Sequence, residues 1–141
     1  MSKTPQSLTV VAKAESLGPV SQFVKNGARE ADLPELQVRQ VELLIEEIFV
    51  NIWRYSYPED APGEVTVTYS VPKPGELVVE VRDQGVEFDP LVQPAPDLTL
   101  DLERRPVGGL GIFLLKTFAA TLSYRREQGW NHLTFGISAN A

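Results

Sequence analysis

The chain has 141 residues, 43% of them hydrophobic, which is enough to build one core without staples. A formal charge of -6 and a pI near 4.8 speak against nucleic-acid binding, which draws on a basic face. There is no cysteine for a disulfide framework or thiolate site, no apolar h-region behind Met1 to Ser7 and no run of membrane-spanning length, so a cytoplasmic protein is expected.

In chain order, the pattern predicts a strand over Leu8 to Ala12 and then a helix from Ser16, as its N-cap, to Glu30. Pro19 falls in the first turn, where a missing N–H is tolerated. Leu33-Pro34 separates this helix from a longer one in which Val41, Leu44, Ile45, Ile48, Ile52 and Tyr55 share a face, and which must stop before Pro58. Glu47 and Asn51 lie one turn apart on it, so their polar heads meet at the border of the apolar stripe. A carboxylate and an amide oxygen are hard ligands suited to Mg²⁺, and the carboxylate can alternatively serve as a base; a solvated helix flank is the ordinary role of such a pair. Phe49 and Trp53 flank the stripe and read as core-edge packing before they read as a partner surface.

Strands follow at Glu64 to Val71 and Leu77 to Arg82, joined through Pro72-Lys73-Pro74-Gly75 in a hairpin-like connection. The second strand runs into Asp83-Gln84-Gly85. A carboxylate at a strand end can accept a hydrogen bond from the exocyclic amine of a purine, while a glycine leaves room for the flat ring; the same residues also make an ordinary turn. Between Leu91 and Asp101, Pro94 and Pro96 interrupt a stretch of little apolar periodicity, as in a mobile segment. Val107-Gly108-Gly109-Leu110-Gly111 then leads into an apolar run with helical spacing, predicted to end near Ala120. Glycines there let backbone N–H groups turn toward phosphate at the positive end of a helix, although such starts also serve plain packing. Two last strands, Thr121 to Glu127 and Trp130 to Ile137, join at Gln128-Gly129, and the one histidine, His132, falls inside the second of them. This order predicts an α+β fold, an antiparallel or mixed sheet with helices packed on one face.

In this order and at these separations, the three polar elements resemble the motif boxes of the nucleotide-binding domain shared by gyrase, the histidine kinases and the bacterial anti-sigma serine/threonine kinases. Glu47 and Asn51 match the N box, Asp83-x-Gly85 the first glycine box and Gly108-Gly109-Leu110-Gly111 the second. The anti-sigma branch is also similar in Phe88-Asp89-Pro90 after the first glycine box, in Arg105-Pro106 before the second, and in the Tyr124 to Leu133 segment with Asn131. Glu87 stands where many relatives carry a second glycine, and Tyr55 where they often carry histidine.

The resemblance implies a two-layer sandwich of the Bergerat type with a mostly antiparallel mixed sheet, formed as one domain over residues 1–141 with an ATP lid at about 91–107. It implies ATP and Mg²⁺ as cofactors, Glu47 as base, Asn51 on the metal, and Asp83 and Gly85 at adenine. Gly108, Gly109, Leu110 and Gly111 would hold the phosphates, with Arg104 at the nucleotide or Arg105 on the transferred group stabilising developing charge. It further implies a STAS-type anti-sigma-antagonist partner carrying the accepting Ser or Thr, a sigma factor as second partner, and a homodimer. The alternative within the same fold is a nucleotide-gated binding module that transfers nothing. His132, in a strand, is not placed as the exposed phosphoacceptor of a histidine kinase.

Overall fold

Period-two alternation of apolar and polar residues builds the sheet. In strand β2 (Glu64–Ser70), Val65, Val67 and Tyr69 are buried while Thr66, Thr68 and Ser70 are half-buried. Strand β3 (Glu76–Asp83) repeats this with Leu77, Val79, Val81 and Asp83 inward. With β1 (Gln6–Val11), β4 (Thr121–Glu127) and β5 (Trp130–Ser138) they form a five-stranded sheet in the order β1-β2-β3-β5-β4. All four pairings are antiparallel. These strands belong to a computed structural model that describes residues 4–58, 60–87 and 115–139.

Among the described residues, two long helices pack on the inward face. Helix α1 (Leu17–Glu30) buries Val20, Val24, Gly27 and Ala28, and helix α2 (Glu35–Asn51) buries Val38, Val41, Leu44, Ile45, Ile48 and Phe49, each at the spacing of one helix face. Removing a side chain such as Leu44 or Phe49 from water contributes about 1.5–3 kcal/mol, so this stripe is the main anchor of α2. Phe49 is 1% exposed and Trp53 packs against the core, as core-edge aromatics should. Gly27 lets α1 lie directly on the ring of Tyr69, which also meets Phe23 at 4.9 Å between centroids and donates its hydroxyl to Glu30 at 2.8 Å.

The turns follow from local chemistry. Gly75 takes φ +86° in the β2–β3 connection, and Gln128 and Gly129 both take positive φ in the β4–β5 hairpin, the backbone that a tight two-residue turn requires. Residues 115–118 are helical and lead into β4. The predicted lid and the second glycine box, with Arg104, Arg105, Gly108, Gly109, Leu110 and Gly111, lie outside the described residues.

Two local expectations need correcting. Ser16 stands at the start of α1 but its hydroxyl makes no cap bond, because a 3₁₀ turn (Ala14–Ser16) already leads into the helix. Helical spacing put Tyr55 on the buried face of α2, yet it is 45% exposed. The chain leaves Asn51 in a π turn (Ile52–Ser56), whose wider i to i+5 winding rotates Tyr55 off that face.

Candidate functional site

Three strands bring one row of polar side chains to the end of the inward face. In the register of the sheet Asp83 of β3 faces Asn131 of β5, and Asn131 faces Arg126 of β4. Asp83 is 3% exposed and Asn131 5%. Polar groups removed from water must be paired, and here they pair with each other and with the turn beyond β3. Asn131 Nδ2 donates to Asp83 Oδ1 at 3.0 Å and to the Val86 carbonyl at 2.9 Å, and its amide oxygen accepts from the Tyr124 hydroxyl.

The turn of residues 83–87 is gripped from both sides. Gly85 N–H donates to Asp83 Oδ1 at 2.9 Å, and Arg126 Nη1 donates to the Gly85 carbonyl at 2.7 Å. From α2's side, Val86 N–H donates to the Ser56 carbonyl at 2.9 Å and Gln84 N–H to the Tyr57 hydroxyl at 2.7 Å. The Tyr57 hydroxyl in turn donates to the Glu64 carbonyl at 2.7 Å, and burial raises its pKa above the usual tyrosine value. Gly85 is packed so tightly on Ser56 that a Cβ there would stand 2.3 Å from the Ser56 carbonyl oxygen. The glycine is therefore needed by the protein's own packing, beside any room it leaves for a ring. Val86 stays 60% exposed at the tip of the turn.

The same connection ties this turn to Glu47 and Asn51, since Ser56 and Tyr57 continue α2 directly. Asn51 is 7% exposed and its amide hydrogen-bonds to no other described residue. Glu47 is half-buried, with no salt bridge to a described residue. Its pKa is raised chiefly by burial and further by the Glu46 carboxylate, against a lowering pull from Arg54. A half-buried carboxylate with raised basicity is a better proton acceptor than a solvated one. No group of three acidic, histidine or cysteine side chains among the described residues could hold a metal ion.

A model of the histidine kinase-like ATPase domain matches residues 10–137. The chain belongs to that family. Glu47 and Asn51, which resemble the N box, lie on α2, and Asp83 and Gly85, which resemble the first glycine box, lie at the end of β3 and in the turn after it; the Bergerat-type α+β architecture is the observed one.

Among curated relatives, the serine/threonine-protein kinase BtrW of Bordetella bronchiseptica is 32% identical over 92 residues, 65% of this chain and 64% of that protein. The chain thus spans just under two thirds of BtrW. The serine-protein kinases RsbW of Bacillus cereus and Listeria monocytogenes are 26% and 27% identical over 86% and 87% of this chain, and 78% and 80% of theirs. Among solved structures, the RsbU and RsbW domains of a Mycobacterium tuberculosis protein align with a TM-score of 0.67 at 14% identity, over 96% of this chain and 32% of that one. That likeness supports the fold. The resemblance to the anti-sigma kinase branch is borne out by these relatives.

Ser56, Tyr57 and Arg126 complete this arrangement without belonging to any of the motif boxes, and Tyr124 joins them from the segment that resembles the anti-sigma branch. Arg126 was findable, because a two-residue hairpin at Gln128-Gly129 places it opposite Asn131. His132 points to the sheet's other face, its Nδ1 3.5 Å from Arg125 Nη2 and 3.8 Å from Glu80 Oε2, away from this row. No helix among the described residues is long and apolar enough to cross a membrane.

Proposed function

We propose that the protein is a cytoplasmic, ATP- and Mg²⁺-dependent serine/threonine kinase of the anti-sigma type. Its substrate is a Ser or Thr hydroxyl on a STAS-type anti-sigma antagonist, and in its other state a homodimer holds a sigma factor. The observation that carries this reading is the pair Glu47 and Asn51. Asn51 is buried and Glu47 half-buried, neither side chain with a hydrogen bond or salt bridge to a described residue, on the helix whose extension grips the Asp83–Gly85 turn. The kinship with kinases that act on serine adds the reaction class.

In this reading Asp83 accepts from the purine's exocyclic amine, and the buried row behind it holds that carboxylate in place. Asn51 would offer its amide oxygen to Mg²⁺, which when bound would supply charge neutralisation at the phosphates. Glu47 takes the proton of the attacking hydroxyl as the new O–P bond forms and the bond to ADP breaks. Gly108, Gly109, Leu110 and Gly111 would receive the phosphates, with Arg104 or Arg105 meeting the developing charge. The fit of the described residues is good: a buried acceptor, an unpaired amide and a carboxylate of raised basicity are the donor set such a reaction needs.

Phosphate transfer from labelled ATP to a purified STAS-type protein tests the reading. Wild type should transfer, and Glu47→Ala should bind ATP and transfer nothing. Binding of both molecules by wild type with no transfer would leave a nucleotide-gated binding module.

A further inference from the structure

Asn131 is fixed more tightly than a strand position requires. Its two amide hydrogens go to Asp83 Oδ1 and the Val86 carbonyl, and its oxygen receives the Tyr124 hydroxyl. Turning the amide over would set its oxygen against a carboxylate and a carbonyl, both acceptors, so the three partners allow one orientation. Asp83 inherits that rigidity. Its Oδ1 receives both Asn131 and the Gly85 N–H, and neither bond uses Oδ2.

We propose that Asn131, locked by Tyr124, is the positioning residue that sets nucleobase specificity. It holds Asp83 so that Oδ2 meets the amine of a 6-aminopurine and cannot be re-aimed at a 6-oxopurine. The inference rests on the reading of Asp83 as the purine acceptor. A 6-oxopurine places a carbonyl oxygen where the amine would be, acceptor against acceptor. Its protonated N1 lies one ring atom away and would satisfy the carboxylate only if the carboxylate could swing. The bonds to Asn131 and Gly85 prevent the swing, leaving the 6-oxo ligand with an unpaired buried polar group.

Calorimetric titration with ATP and with inosine triphosphate, both with Mg²⁺, tests this on wild type, Asn131→Ala and Tyr124→Phe. Thermal melts of the nucleotide-free chains accompany the titrations. Wild type should prefer ATP by roughly 10- to 100-fold, the range expected when one buried polar group loses its partner. Both variants should shrink that ratio by about tenfold, mainly by weakening ATP. If Asn131→Ala does not fold, Tyr124→Phe carries the test, because it removes a single hydroxyl from a half-buried strand position. Equal weakening of both nucleotides, or lower melting with an unmoved ratio, would mean that Asn131 only supports the fold and would overturn the inference. Wild type binding ATP with variants of unchanged ratio sinks this inference alone, whereas wild type binding neither nucleotide sinks the assignment of Asp83 as well.

Discussion

Ser56 and Gly85 meet backbone to backbone. The Ser56 carbonyl accepts from Val86 N–H at 2.9 Å, and a Cβ on residue 85 would stand 2.3 Å from that same oxygen. The end of the helix that carries Glu47 and Asn51 is thus seated on the turn that carries Asp83. Gly85→Ala must push the two apart, which should cost stability of at least about 1–3 kcal/mol and weaken ATP binding together. Denaturant unfolding and an ATP titration on the same variant check this; retention of both would show that the seam is loose.

Glu47→Gln should separate activity from stability. Burial raises the folded-state pKa of Glu47, so folding favours its neutral form. That contribution is fully present below the ordinary value of 4.5 and is lost as pH rises through the folded value. At neutral pH the variant should therefore melt above wild type, with the difference closing toward acid pH. Phosphate transfer should fall by about 10²–10⁴-fold, the usual contribution of a general base.

Glu46 raises the pKa of Glu47 and Arg54 lowers it, after the larger effect of burial. A base works deprotonated, so the transfer rate should climb with pH through the Glu47 titration. Glu46→Gln should move that acidic limb to lower pH, and Arg54→Gln should move it higher. Single-turnover transfer measured across pH at saturating ATP would show both displacements; coincident limbs in all three proteins would assign the limb to another group.

Gly27→Ala should destabilise although alanine is the better helix former by about 1 kcal/mol. The added Cβ would meet the Tyr69 ring at 2.7 Å. That ring is held by Phe23 and, through its hydroxyl, by Glu30. Overpacking at such a position costs about 1–3 kcal/mol, so the urea midpoint should drop while ATP affinity, set at the far end of the sheet, stays near wild type.

Much of this architecture is legible without coordinates. Alternation at Leu77, Val79 and Val81 specifies one buried face, and Gln128-Gly129 fixes the last hairpin's register, which lines up Arg126 with Asn131. That Glu47 and Asn51 lie one turn apart follows from helical spacing alone. The π turn does not, because Ile52 and Tyr55 continue the apolar period of α2, and only the contact of Ser56 and Tyr57 with a turn some thirty residues away selects the wider winding. The duty of Gly85 was half legible for the same reason: a glycine in a turn announces room, but what fills the room is a tertiary fact.

The proposed kinase requires a nucleotide resting at Asp83, and calorimetric titration of the chain with ATP and Mg²⁺ tests that directly. One saturable, Mg²⁺-dependent site that raises the melting temperature and disappears in Asp83→Ala is the predicted result. Absence of both heat and thermal stabilisation in the wild-type chain would contradict it.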